Sequence, residues 1–186
     1  VDTDGRYAAV CDYKTGSPKL SLNEIMEGLS LQLITYLLAL SKTKSTKDLL
    51  PAAMMYIYLH GRPKSMSVPP NGIPHAKEKE NTNGIFLNDP DVLRTLDSQS
   101  GTDDGFIGVS YVKDGSVKKT SPVLTAEEFE ALKALTEKIL IRLYSRLESG
   151  EIAIHPVKNG TLSPCSYCPY QSICRFDPAL PDNSFD

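Results

Sequence analysis

The run Ala52-Ala-Met-Met-Tyr-Ile-Tyr-Leu59 has the length of a strand and carries no polar face. A strand of that kind is stable only where both of its faces are covered. Ahead of it, Arg6 to Tyr13 forms a shorter apolar strand that ends in Asp12-Tyr-Lys-Thr-Gly16, a strand running into a turn. Between the two, Ser21-Leu-Asn-Glu24 has the form of a capping box. Behind it Ile25, Leu29, Leu33, Tyr36, Leu37 and Leu40 recur at helical spacing, which predicts one helix from about Leu22 to Ser41. Strand, helix and strand make a crossover unit, so the expected fold class is α/β.

The remainder is less regular. Between Gly61 and Gly105 the prolines at 63, 69, 70 and 74 and the charged run Lys77-Glu-Lys-Glu-Asn81 predict a long surface excursion, with a short helix at Asp89–Leu96. Phe106–Val112 and Ser116–Lys119 flank Asp114-Gly115 and predict a hairpin. Its lysines, Lys113, Lys118 and Lys119, read as a solvated face. Thr125-Ala-Glu-Glu128 opens a long helix striped by Phe129, Leu132, Leu135, Ile139, Leu143 and Leu147, ending near Gly150. At the start, Asp2-Thr-Asp-Gly5 has turn chemistry, which predicts a strand before Val1 and a chain cut from a longer protein. Val1-Asp-Thr-Asp-Gly5 has neither the basic start nor the apolar run of a secretory signal.

Composition narrows the class. With 20 Lys+Arg against 23 Asp+Glu the formal charge is −3, so no global basic field announces nucleic acid. At 40% hydrophobic and 23% charged residues the chain is of ordinary globular type. The longest apolar stretch, Leu29–Leu40, is interrupted by Ser30, Gln32, Thr35 and Tyr36 and is too short to span a membrane.

Three of the four cysteines crowd the end as Pro164-Cys-Ser-Tyr-Cys-Pro-Tyr-Gln-Ser-Ile-Cys174, a C-x2-C-x5-C spacing. Thiolates two residues apart can turn onto one ion or cluster, and both zinc and iron–sulfur centres use such spacing with four ligands. The fourth would be Cys11 or a residue outside this chain; Cys11, in a strand, reads as a small buried thiol. The bland alternative is three unrelated thiols.

Strand alternation sends Asp12 and Lys14 to one face at a strand end. A carboxylate there can hold Mg²⁺, and a lysine beside it can orient or help deprotonate a water and steady developing negative charge. An isolated D-x-K is usually a solvated ion pair. Gln32 and Tyr36, spaced i, i+4, face the same way on the following helix.

The combination resembles the RecB-type branch of the PD-(D/E)xK nucleases, and within it the C-terminal nuclease domains of bacterial helicase–nuclease complexes. The resemblance rests on Cys11-Asp-Tyr-Lys-Thr-Gly16, Leu20-Ser-Leu-Asn-Glu24, Gly28-Leu-Ser-Leu-Gln-Leu-Ile-Thr-Tyr-Leu37 and Pro164 to Asp177, nearly the whole chain. It implies a single nuclease-type domain over 1–186 with a restriction-endonuclease-like core, a mixed sheet flanked by helices, truncated at its N-terminus. It implies that Asp12 and the Tyr13 carbonyl face a Mg²⁺ ion and that Lys14 is the catalytic lysine. Gln32 and Tyr36 would be the motif pair that places the site or the DNA. Cys165, Cys168 and Cys174 would hold a structural [4Fe–4S] cluster whose fourth ligand lies outside this chain. The family's first metal-binding acid, in a Gly-x-x-Asp-Arg stretch, would lie upstream of Val1, so the isolated chain is expected to be inactive.

By the same resemblance, the parent is a cytoplasmic bacterial exodeoxyribonuclease acting in double-strand-break repair. Its partners would be DNA, delivered as a single strand from an unwound duplex end, and an A subunit that supplies the motor and a second nuclease. The rival reading is a non-catalytic zinc-binding interaction module. The three histidines, His60, His75 and His155, have no nearby nucleophile that suggests covalent catalysis.

Overall fold

The computed structural model of the chain describes residues 2–3, 5–16, 18–59, 82–102, 105–158, 163–180 and 183–185. Five strands make one mixed sheet in the order β1 (Asp2–Thr3), β2 (Tyr7–Lys14), β3 (Leu50–Tyr58), β4 (Thr82–Leu87) and β5 (Val123–Leu124). β1 is antiparallel to β2, β2 parallel to β3, β3 antiparallel to β4 and β4 parallel to β5. This mixed sheet with flanking helices is the expected α/β arrangement. Asp2 and Thr3 pair with Ala9 and Ala8, so they are strand rather than turn, and Gly5 at φ +89° carries the reversal. The β2–β3 register slips once, by a bulge between Ala8 and Ala9.

The crossover is two helices, not the single one that periodicity predicts. α1 (Leu22–Met26) and α2 (Gln32–Lys42) are separated by a bend in which Gly28 takes φ +81° and Ser30 φ +50°. Leu29 and Leu33 keep helical spacing across it, so the stripe conceals the break. The capping box at Ser21 is half formed. The Ser21 hydroxyl accepts from the Glu24 amide at 3.5 Å, but the Glu24 carboxylate turns to the Ser30 hydroxyl instead.

A second difference lies in the stretch read as surface excursion. β4 is an interior strand of the sheet, and Ile85, Phe86 and Leu87 are buried. Its opening Thr-Asn-Gly resembles turn chemistry. Gly84 is there because β3 presses on it: a Cβ would meet Met55 Cβ at 2.5 Å and the Met54 carbonyl oxygen at 2.8 Å. The other features of that stretch, including His60, His75, the four prolines and the run 77–81, lie outside the described residues.

α3 (Pro90–Leu96) begins on Asp89, whose side chain accepts from the amides of Asp91 and Val92. Buried Asp97 then ties down the next loop, accepting from the amides of Gln99, Phe106 and Ile107. The Asp114-Gly115 hairpin forms with a single bridge, Tyr111 to Val117. α4 (Ala126–Glu148) opens on a complete capping box between Thr125 and Glu128. The sheet separates two cores. On one face α1, α2 and α4 bury Ile25, Leu33, Ile34, Leu37, Phe129 and Leu132 against Val10, Met54, Tyr56, Ile85 and Leu87. On the other, Leu93, Ile107 and Val109 cover Ala9, Ala53, Met55 and Phe86.

No helix among the described residues is long and apolar enough to cross a membrane. Gly84→Ala is expected to destabilise the protein by about 1–3 kcal/mol, since the added methyl must displace the backbone of β3. A urea unfolding midpoint equal to that of the parent would contradict the account of β4.

Candidate active site

The end of β2 faces the start of α2 because a parallel pair forces the intervening chain across the sheet. Asp12 and Lys14 point to the α2 side of the sheet, as alternation requires, the side that also holds Val10 and Tyr56. Lys14 Nζ lies 2.7 Å from Asp12 Oδ2 and donates to Gln32 Oε1 at 2.9 Å. It also sits 5.2 Å from the centroid of the Tyr56 ring, a cation–π distance. Gln32 Nε2 in turn donates to the Tyr36 hydroxyl at 3.2 Å. The four side chains singled out in the sequence therefore form one contiguous network.

Each contact arises from its element. Gln32 opens α2 and Tyr36 is one turn on, so both look toward β2 while Leu33, Ile34 and Leu37 fill the core. Lys14 and Asp12 remain partly accessible, with side-chain exposures of 29% and 24%, so the site is open to a solute. Asp12 Oδ2 itself is buried, and the ammonium of Lys14 is its partner among the described residues. Close contact with the Asp12 carboxylate holds the Lys14 ammonium above the ordinary lysine range, outweighing the opposing effect of desolvation. Lys14 is thus fully charged at neutral pH.

Tyr56 belongs to no motif in the sequence, yet it joins the site. It pairs in register with Asp12 on β3 and is 5% exposed. Burial raises its phenol above the usual tyrosine range, with Asp12 and Glu24 adding to the rise and Lys14 opposing it. The signal for it is the alternation Met54, Tyr56, Tyr58 in the apolar run, which puts two aromatics beside the strand that ends in Asp12 and Lys14. Tyr13, by contrast, is exposed and its ring lies on the opposite face of β2.

Asp12 fits one part of a hard-cation site. It offers a partly accessible carboxylate at a strand end, with Oδ2 engaged by the Lys14 ammonium at 2.7 Å. Magnesium commonly takes one or two carboxylates and fills its other positions with water and substrate phosphate. Among the described residues no group of three His, Cys, Asp or Glu could hold a metal ion.

That statement covers the cysteines too. Cys165, Cys168 and Cys174 are free and half-buried, placed at a 3-10 turn (Pro164–Tyr167), just after it, and at the end of the four-residue α5 (Gln171–Cys174). The Gln171 amide donates to the Cys165 carbonyl and links the two turns. The segment is closed on itself by His155 Nδ1, 3.1 Å from Ser184 Oγ, and by Phe176 edge-on to Phe185 at 5.1 Å. The three sulfurs nevertheless do not converge on a common centre. Cys11 packs against the second core, on the face away from Asp12. Lys113, Lys118 and Lys119 are exposed on the hairpin segment whose Tyr111 and Val117 pack against that second core.

Residues 1–175 match the PD-(D/E)XK nuclease superfamily. The B subunit of the ATP-dependent helicase/deoxyribonuclease of Desulforamulus reducens is 35% identical over 96% of this chain. Proteins of the same description from Clostridium kluyveri and Bacillus cereus are 33% and 30% identical, over 96% and 99% of the chain. The chain spans 16% of the length of each of these curated relatives.

The coupling between Asp12 and Lys14 has a measurable sign. A raised lysine pKa contributes stability that is complete below the ordinary lysine value and lost as pH climbs through the elevated one. Asp12→Asn is expected to lower the Lys14 pKa and abolish that alkaline loss. Titration of the lysine side-chain ¹³Cε resonance checks this, and an unchanged Lys14 midpoint would refute the coupling.

Proposed function

This chain belongs to the PD-(D/E)XK nuclease superfamily, and we propose that it is the Mg²⁺-dependent DNA-cleaving module of an AddB-type helicase–deoxyribonuclease. The observation that supports this reading best is the ammonium of Lys14 held between Asp12 and Gln32 at the open end of a parallel strand. Asp12 and the Tyr13 carbonyl would hold the metal ion. When bound there, Mg²⁺ supplies Lewis-acid stabilisation of the phosphate and a water of lowered pKa.

Lys14 acts as a fixed positive charge. The neighbouring Asp12 carboxylate holds its pKa above the ordinary lysine value. The lysine orients the attacking water or a phosphate oxygen and stabilises negative charge as that charge grows. Gln32 keeps the ammonium directed by accepting from one of its three N–H groups, which leaves another for the substrate. Tyr36, about half exposed beside Gln32, lines the approach of the strand.

The substrate is DNA, reaching the site as a single strand from an unwound duplex end, and the A subunit of the complex supplies the motor and a second nuclease. The names of the relatives support the helicase–nuclease context. A net charge of −3 is compatible with it when the larger assembly grips the DNA. The role in double-strand-break repair, and the cytoplasmic setting, belong to the same reading. Cys165, Cys168 and Cys174 would hold a structural [4Fe–4S] cluster with a fourth ligand outside this chain, which requires their sulfurs to converge beyond the arrangement described above. Their spacing and free thiols support this. No step of the hydrolysis passes through it.

In full-length protein with the partner's nuclease disabled, Lys14→Ala is expected to slow cleavage by about 10²–10³-fold. DNA binding should survive, because the charge acts on the reacting phosphate. Unimpaired cleavage would end the proposal. Chelation of divalent cations should abolish the same activity. The purified full-length protein should contain iron and acid-labile sulfide. One tetrahedral zinc per chain instead, with activity indifferent to Asp12 and Lys14, would favour a non-catalytic zinc module.

A further inference from the structure

The bend between α1 and α2 places a side chain where backbone preference resists one. Ser30 stands at φ +50°, a region in which glycine is the ordinary occupant, and Gly28 two residues earlier, at φ +81°, illustrates the rule. What serine adds over glycine is a hydroxyl. That hydroxyl donates to Glu24 Oε2 at 2.6 Å, a short charge-assisted bond in a partly buried setting. Glu24 is thereby drawn away from the capping role its sequence position suggests. The Leu29 amide also donates to the Glu24 carbonyl oxygen at 2.7 Å, so Glu24 fastens the bend by backbone and side chain together.

This fastening lies immediately before a helix that has no cap of its own. α2 begins at Gln32, and its N-cap residue, Leu31, makes no side-chain capping bond. The body of α2 is held by Leu33, Ile34 and Leu37 in the core, whereas its first residue, ahead of them, follows directly on the Ser30 bend. Gln32 is only two residues further on, and its side-chain amide accepts from Lys14 Nζ at 2.9 Å and donates to Tyr36 at 3.2 Å. A rotation of the first turn of α2 would move that amide off the ammonium.

We propose that Glu24 and Ser30 are positioning residues, forming a latch across the α1–α2 bend that aims Gln32 at Lys14. Neither touches the reacting phosphate. The latch acts through the chain Glu24, Ser30, the first turn of α2, Gln32 and Lys14. This inference rests on the reading of Lys14 as the reaction's fixed charge.

Glycine substitution separates positioning from folding. Ser30→Gly removes the hydroxyl and the backbone strain together, two effects that oppose each other in stability, so the fold is retained. If the serine only completes the bend, cleavage is untouched. If the latch aims Gln32, kcat falls on the order of 10-fold, since small misplacement of an orienting group is costly. KM for DNA stays at the parental value. Glu24→Ala is expected to lower kcat similarly, while Glu24→Gln, which keeps an acceptor oxygen, restores it to near the parental level.

The assays use full-length protein with the partner nuclease disabled and include Lys14→Ala in parallel. Parental kcat in Ser30→Gly, alongside loss of cleavage in Lys14→Ala, overturns the latch and leaves the site reading intact. Parental cleavage in Lys14→Ala overturns both. Should Glu24→Ala fail to fold, Ser30→Gly decides the matter.

Discussion

Two parallel strands cannot be joined by a tight turn, and that constraint organises this molecule. Because β2 and β3 run the same way, the chain between them must climb back over one face of the sheet. α1 and α2 are that return path. Their apolar sides close the core over Val10, Met54 and Tyr56, and α4 completes the layer. The return path also delivers the first residue of α2 to the carboxyl end of β2. In α/β folds ligands collect at such strand ends, where side chains are held by the sheet yet the rim is open. Asp12, Lys14 and Gln32 meet there for topological reasons before any chemistry is considered.

The contacts of Lys14 show how a small site keeps a flexible side chain in one state. A lysine has a long stem and considerable rotamer freedom. Here its ammonium has a carboxylate on one side, an amide oxygen on another and an aromatic ring within cation–π distance. The carboxylate fixes the charge, and the amide and the ring restrict the direction. This local arrangement is independent of the formal charge of the chain, which is why composition alone is silent about nucleic acid.

Much of this is legible in the sequence because the relevant patterns are local. The D-x-K at a strand end and the Q-x-x-x-Y on the next helix predict their own co-facing pairs, and parallel pairing brings the two pairs together. The full capping box at Thr125 and the cap at Asp89 are likewise short-range signals. The features that escape depend on distant neighbours. The bend at Gly28 and Ser30 leaves the apolar spacing of Leu29 and Leu33 intact, so periodicity passes over it. β4 is hidden because its Asn-Gly, which reads as a turn, is a close-packing device against Met55. Tyr56 looks like core, and it is; its second role exists only through the register that sets it opposite Asp12.

The bulge beside Ala8 and Ala9 divides the central ladder into two parts with different tolerance for change. Before it, Ala8 pairs with Pro51; after it, Ala9 pairs with Ala53, and Ala52 is the surplus residue. Losing that one residue would regularise the strand and keep the later pairs in register, though it would remove a side chain buried in the core. Losing one between Ala53 and Tyr56 would turn Tyr56 to the far side of the sheet, since each step along a strand reverses the side chain. The sheet thus has a slack end, where length can drift, and a geared end, where a single tooth dismantles the seat of Lys14.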